Sequence, residues 1–250
     1  MNEQDLRSSR DPDHDLIHET IDELRDFDLK IIQPRCGYRF SVDPLLLCGF
    51  AGPAGGGIVD LGTGCGVIAL IMARMSPGAQ VVGVESHTES AVLAERNVSL
   101  NGLAGQVSII CADILDLKGR IPVSSFDLVL ANPPFRRKGT GKISPQAGRD
   151  TARHESSAGL GDFLAVAKYL VRPSGRICLI YHISRLAELI ASATTMKLAL
   201  VRMQFVHGSP LVGARMVMVE LVKGRCRELE VLAPLYPKGN DKYMQIGTTP

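Results

Sequence analysis

Hydrophobic positions along this chain change their period several times, and each change marks an element. Residues 1–26 show no sustained apolar period; the first dozen are polar and predicted to lack order, with a short helix at 15–25. Residues 27–33 then alternate as a strand does. Residues 34–37 read as a turn, so that Tyr38-Arg39-Phe40 pairs back to make a hairpin. Asp43-Pro44 has the form of an N-cap followed by proline at the first helical position. The helix it opens, 45–51, is apolar nearly all round and is predicted to be buried. A glycine-rich link, 52–57, follows.

From residue 58 a strand–helix pattern repeats. Strands are predicted at 58–61, 80–85, 107–111, 126–131 and 176–181, with helices at 67–75, 87–100, 160–171 and 183–194 between or after them. Two further strands, 198–206 and 215–222, are too close for a helical crossover and must form an antiparallel hairpin at the sheet edge. The pattern predicts an α/β fold, a mostly parallel seven-stranded sheet with an antiparallel edge hairpin and helices on both faces. The stretch 136–157 is polar, basic and without period, which in a compact domain marks a functional or disordered loop. Domain organisation follows as an acidic, partly disordered leader (1–26), a hairpin and helix packed on the core (27–56), and the main domain (57–250).

Composition narrows the class. A chain of 250 residues suits one α/β domain with small additions. No apolar stretch approaches the ~18 residues of a membrane span, and the acidic N-terminus lacks the apolar segment of a signal peptide. The six cysteines are scattered without a C-x-x-C pair, so they read as buried thiols of a cytoplasmic protein, with no metal site. The net charge of +2 conceals an asymmetry: residues 1–28 carry ten acids and three bases, leaving the remainder at +9. A basic folded part is compatible with a polyanionic partner.

Candidate chemistry sits at four predicted strand ends. Asp60-Leu61-Gly62-Thr63-Gly64-Cys65-Gly66 places three glycines at alternate positions between a strand and a helix, where a ligand can lie against the backbone. The third glycine comes one residue too early for the dinucleotide fingerprint. Glu85 ends the next strand, placed to accept the hydroxyls of a ribose, and Asp113 follows the third, within reach of an adenine amino group. Together with Asp60 they suit an adenosyl ligand that is cationic and lacks phosphates; taken singly, each also suits a helix N-cap or a solvated turn. After the fourth strand comes Asn132-Pro133-Pro134-Phe135. Its prolines have no N–H to donate, so the side-chain amide of Asn132 and the Pro133 carbonyl offer acceptors to an exocyclic –NH₂ and Phe135 a stacking face. The same four residues would also serve as a proline-rich turn leaving a strand.

The ordered set of the glycine loop, Glu85, Asp113 and the Asn-Pro-Pro-Phe box resembles a Rossmann-like class I S-adenosylmethionine-dependent methyltransferase. The box is similar to that of amino-methyltransferases acting on adenine N6, cytosine N4 or a glutamine amide. Residues 31–34 and 37–47, with Ala152-Arg153-His154-Glu155 and Gln204-Phe205-Val206-His207, resemble the bacterial tRNA (adenine-N6)-methyltransferase family, which modifies the adenine beside the anticodon of a valine tRNA. The resemblance implies S-adenosylmethionine held by Asp60, Gly62, Thr63, Gly64, Gly66, Glu85 and Asp113, with Phe40 and Asp43 from the leader. It implies catalysis by Asn132, Pro133, Pro134 and Phe135, and tRNA phosphate contacts from Arg136, Arg137, Lys138 and Arg153. Phe135 stands where tyrosine is more frequent, which keeps the stacking face and excludes a hydroxyl-dependent role. A glutamine-amide methyltransferase acting on a release factor is the nearest rival, but such enzymes carry an N-terminal helical bundle, for which the 56 residues before the main domain are too few. A non-catalytic nucleic-acid-binding module would show erosion of these motifs, and the glycine spacing disfavours a nicotinamide dehydrogenase.

Overall fold

A computed structural model describes residues 18–36, 39–134, 158–224 and 228–237. Its strands are β1 (Glu19–Leu24), β2 (Leu29–Pro34), β3 (Gly57–Leu61), β4 (Gln80–Glu85), β5 (Val107–Cys111), β6 (Phe126–Ala131), β7 (Val171–His182), β8 (Leu198–His207), β9 (Ala214–Lys223) and β10 (Glu230–Val231). The α-helices are α1 (Asp43–Ala51), α2 (Val67–Met75), α3 (Thr88–Leu100), α4 (Leu160–Leu170) and α5 (Leu186–Thr195).

The main sheet runs β10-β8-β9-β7-β6-β3-β4-β5. Strands β3 to β7 pair parallel, and β9 lies antiparallel between β7 and β8. Successive residues of each buried strand serve opposite faces. Ile58, Leu128, Leu130, Cys178 and Ile180 pack with α1, α2 and Val98 of α3. Val59, Leu61, Val129, Ala131, Ile177 and Leu179 pack with α4 and α5. Both faces are thus apolar, which is why these strands read as continuous apolar runs. Because β3 has β4 on one side and β6 on the other, the winding reverses there, opening a crevice at the carboxyl ends of the strands.

The sheet carries the predicted parallel strands and edge hairpin, and the two-residue β10, parallel to β8, makes an eighth member. Strand β7 begins at Val171, five residues early, and its pairing with β6 skips from Val171 to Arg176, so Pro173-Ser174-Gly175 lies within an irregularity of the strand.

The leader departs further from expectation. Residues 19–24 are a strand, where a helix was predicted, and they pair antiparallel with β2. The hairpin therefore turns at residues 25–28, where Asp28 adopts φ 50°, and residues 39–40 are outside any strand. The reason is polar burial. Ile21 faces solvent, 53 % exposed, while Asp22 turns inward to accept from Arg39 Nη2 (2.8 Å) and Gln33 Nε2 (2.6 Å). An inward acid and an outward isoleucine conceal the strand's alternation. Helix α1 starts at Asp43 itself, with no side-chain cap, so Asp43 lies in its first turn and not at its N-cap. Cys48 and Cys178 are buried as predicted, whereas Cys36 (in the turn after β2) and Cys111 (at the end of edge strand β5) are exposed.

Two asparagines, Asn97 of α3 and Asn101 at its C-cap, hold the ribbon on the core. Asn97 Oδ1 accepts from Ile32 N (2.7 Å) and its Nδ2 donates to Ile32 O (3.1 Å). Asn101, one turn on, repeats this with Lys30 N (2.8 Å) and O (2.7 Å). These side-chain amides meet the backbone edge of β2 that a neighbouring strand would otherwise satisfy. At the other end of the domain, Arg202 donates to Phe50 O (2.8 Å) with its guanidinium 4.3 Å from the Phe50 ring, and Arg176 donates to Ala51 O. Cations thereby satisfy the last carbonyls of α1, where the helix dipole favours them. No described helix is long and apolar enough to cross a membrane.

Candidate active site

Register aligns the candidate residues. Leu61 pairs with Val84 of β4 and with Ala131 of β6, and Glu85 pairs with Cys111. One residue beyond that line come Gly62, Asn132 and Glu85, on adjacent strands ~5 Å apart. The three motifs found separately in the sequence therefore share one edge.

Asp60 ends fully buried in β3. Its Oδ2 accepts from Thr63 Oγ1 (2.5 Å), while Oδ1 has no partner among the described residues. Burial pushes this carboxyl from 3.8 up to about 7, against the Thr63 hydrogen bond, which lowers it, and with help from the nearby negative charge of Glu85. A buried acceptor left without a donor costs about 1–3 kcal/mol, more when charged. The glycine loop then turns sharply. Gly62, Gly64 and Gly66 have φ of 77°, 57° and 87°, values that L side chains rarely adopt. Gly62 N and Thr63 N both donate to Val84 O (2.9 Å each), fixing the loop to β4.

Glu85 is 7 % exposed and already engaged. It accepts from Gly64 N (2.9 Å, Oε2) and from His87 N (2.9 Å, Oε1), and His87 Nδ1 lies 3.0 Å from Oε1. Each carboxylate oxygen has two lone pairs, so capacity remains for hydroxyl donors. Asp113 accepts from Leu115 N (3.0 Å) and so caps the short 3-10 turn Ile114–Leu117, the structural role that sequence left open beside the adenine-binding one. Phe40 is held through its backbone N–H, which donates to Gln33 Oε1 (3.0 Å), and Asp43 is buried in the first turn of α1. Asn132 follows directly on β6, and its Oδ1 is buried with no partner among the described residues. Pro133 is buried and Pro134 exposed. Phe135, Arg136, Arg137, Lys138 and Arg153 lie outside the described residues.

Three residues that the sequence did not single out shape the site. Gly83 pairs with Asp60, and a Cβ there would lie 2.9 Å from Thr63 Cγ2 and from Ile109 Cδ1, so glycine makes room for the threonine that holds Asp60. A glycine inside an apolar strand is the signal for such an approach. His87 braces Glu85, and its Nε2 is buried without a hydrogen-bond partner among the described residues. Asn97 Nδ2 donates to Cys65 O (2.9 Å) within the glycine loop, a contact with no local signature.

A doubly wound sheet of this order, with a glycine loop and an acidic residue at successive strand ends, defines a class I methyltransferase, whose cofactor is S-adenosylmethionine. The chain belongs to the methyltransferase small domain family, whose model matches residues 43–182. It is 34 % identical over 194 residues to the tRNA1(Val) (adenine(37)-N6)-methyltransferase of Porphyromonas gingivalis, covering 75 % of this chain and 74 % of that one. The protein of the same name from Tolumonas auensis is 29 % identical over 66 % of this chain and 68 % of its own. Among solved structures, a predicted O-methyltransferase from Agrobacterium tumefaciens superposes with a TM-score of 0.63 at 23 % identity, over 81 % of this chain and 92 % of that one, a likeness of fold.

The residues present fit that cofactor. A buried carboxylate with one oxygen unpartnered among the described residues suits a cationic group, left-handed glycines turn the backbone sharply at the strand end, and a second carboxylate at the next strand end suits a ribose.

Proposed function

We propose that this protein transfers a methyl group from S-adenosylmethionine to the exocyclic N6 of an adenine in tRNA, as the names of its curated relatives describe for them. The observation that carries the reading is the amide oxygen of Asn132, a buried acceptor without a donor among the described residues, one residue past the line that joins β6 to the glycine loop of β3. In this reading Asp60, the loop residues Gly62, Thr63, Gly64 and Gly66, and Glu85 hold the cofactor, with Asp113, Phe40 and Asp43 at its margins. When bound, the cofactor supplies a methyl group on a sulfonium sulfur.

The chain's own contribution is positional and electrostatic. The lone pair of an adenine amine is delocalised into the ring and must be drawn out for the nitrogen to attack. Asn132 Oδ1 and the Pro133 carbonyl accept its two N–H bonds. Those bonds strengthen as positive charge develops on nitrogen, so they favour the transition state over the ground state. Pro133 and Pro134 present no competing N–H and fix their backbone near φ −65°. Phe135 stacks on the base after it leaves its own stack. The alkylated nitrogen is acidic enough to lose its proton to water, so a strong base is unnecessary. Arg136, Arg137, Lys138 and Arg153 take phosphates, and the enzyme works where its tRNA is, in the cytoplasm.

The test is incubation with labelled S-adenosylmethionine and unmodified tRNA, followed by nucleoside analysis. N6-methyladenosine is the expected product. Label on a glutamine of a release factor, with none in tRNA, would transfer the assignment to an amide methyltransferase.

A further inference from the structure

Strands β8 and β9 do not stop where the catalytic strand stops. Ala131, the last residue of β6, is level with Leu179 of β7, Val219 of β9 and Met203 of β8. From that row the hairpin continues toward the carboxyl edge as far as the pair His207–Ala214. Four to five residues at ~3.3 Å each raise it by about 13–17 Å beside the crevice before it turns.

The top of this wall is built, not frayed. Ala214 pairs with His207, whose Nδ1 donates to the Val212 carbonyl (2.9 Å), and Val212 N donates to Ser209 O (3.2 Å). On the outer side the chain after β10 runs along β8, with His207 N donating to Leu235 O (2.9 Å), which seats the Tyr236 ring 5.5 Å from that of His207. The framework holds apolar groups out in solvent. Leu211 is 98 % exposed, Val212 57 % and Tyr236 40 %.

Exposed apolar groups on a rigid support mark a contact surface. Charge indicates what touches it. Residues 198–219 contain Arg202 and Arg215 and no Asp or Glu, and residues 231–236 carry no charge. Arg202 is committed to α1, leaving the exposed Arg215 beside the tip. Among the described residues, an acid-free rim with the exposed Arg215 guanidinium, a tilted ring pair and an aliphatic tip matches unpaired nucleotides, which offer a base face and a phosphate together.

We propose that the β8–β9 hairpin, with Tyr236 on its outer edge, is a second RNA contact of the enzyme. Unpaired bases flanking the target adenine stack on the His207–Tyr236 pair and on Leu211, and Arg215 meets a phosphate. The proposal rests on the tRNA reading above.

The experiment compares wild type with Leu211→Ser/Val212→Ser, Tyr236→Ala, Tyr236→Phe and Arg215→Ala, using unmodified tRNA transcript for binding and for single-turnover methylation. The first two variants should raise the tRNA Kd at least about 5-fold, the equivalent of ~1 kcal/mol of lost stacking, with the rate at saturating tRNA and the cofactor affinity kept. Tyr236→Phe should bind as wild type does. Arg215→Ala should flatten the log-affinity versus log-salt slope by about 0.7–0.9. If wild type methylates tRNA and the tip and Tyr236→Ala variants bind it equally well, the hairpin proposal is overturned and the tRNA reading stands. If wild type neither binds nor methylates tRNA, both fall.

Discussion

Replacing Asp60 with asparagine should stabilise the cofactor-free protein and weaken its hold on the cofactor, and the first effect should grow with pH. The Asp60 carboxyl moves from 3.8 to about 7 because it is buried. At 1.36 kcal/mol per unit, that displacement is worth on the order of 4 kcal/mol. The folded state binds this proton more tightly than the unfolded state does. The carboxyl's contribution to stability is therefore full below pH 3.8, declines as pH rises, and is lost above about 7. Asparagine is nearly isosteric, still accepts from Thr63, and does not ionise. The variant's advantage should be about 2 kcal/mol at pH 5.5 and about 4 kcal/mol at pH 8.5, with each kcal/mol raising Tm by roughly 2–4 °C in a chain of this size.

Thermal melts at those two pH values measure the gap directly. Calorimetry in buffers of different ionisation enthalpy measures the other half. A cationic ligand beside Asp60 should draw its carboxyl toward the ionised form, so that cofactor binding near pH 7 releases a fraction of a proton in wild type that the variant does not release. Losing one charge-assisted hydrogen bond, at about 1.5–3 kcal/mol, should raise the cofactor Kd roughly 10- to 150-fold. A melting gap that stays flat between pH 5.5 and 8.5, or an unchanged cofactor Kd, would refute the reasoning.

Other expectations are simpler. Asn132→Ala should lower single-turnover methyl transfer by about 10²–10³ while leaving the cofactor Kd nearly unchanged, as loss of one preorganised polar contact does. Gly83→Ala drives a Cβ into Thr63 and Ile109, and should cost about 1–3 kcal/mol in denaturant unfolding and raise the cofactor Kd by displacing the partner of Asp60. Removing Arg136, Arg137 and Lys138 together should flatten the salt slope of tRNA binding by up to ~2 units with cofactor binding intact.

What could be read from the sequence follows physical lines. The doubly wound sheet was legible because burial on both faces writes Leu128–Ala131 of β6 and Ile177–Tyr181 of β7 as apolar runs, with turn residues between the strands. The glycine loop was legible because positive φ at Gly62, Gly64 and Gly66 admits little else. Strand β1 was not, since its inward positions include Thr20 and Asp22 and their partner Arg39 lies beyond the next strand. Gly83 carries the sign of a close approach, a glycine within an apolar strand, but nothing local names its neighbour, Thr63, twenty residues earlier. Strand β10 has two residues and exists only because β8 offers an open edge. Asp113 shows the converse difficulty: a carboxylate two residues before the N–H it caps reads equally as a ligand group, and sequence alone does not separate the two.

The N-terminal ribbon is best understood through Asn97, and this leads to a discriminating prediction. Its amide is fully buried and makes three bonds, two to Ile32 of the ribbon and one to Cys65 O of the glycine loop. Asn101 holds the same ribbon at Lys30 but has no bond to the loop. Within the ribbon, Gln33 carries a second link, accepting from Phe40 N, three residues before the start of α1 at the buried Asp43. Asn97 thus ties leader to loop, and Gln33 ties leader to helix entry. Asn97→Ala takes a partner from three backbone groups, Ile32 N, Ile32 O and Cys65 O, and should cost about 3 kcal/mol or more of stability, at ~1–3 kcal/mol for each group stranded. It should also raise the cofactor Kd several-fold, because the loop loses an anchor. Asn101→Ala should lower Tm but leave cofactor affinity as it was. Melts and calorimetry on the two variants separate the cases. If both change stability alone, the ribbon only covers the core and takes no part in holding the cofactor loop.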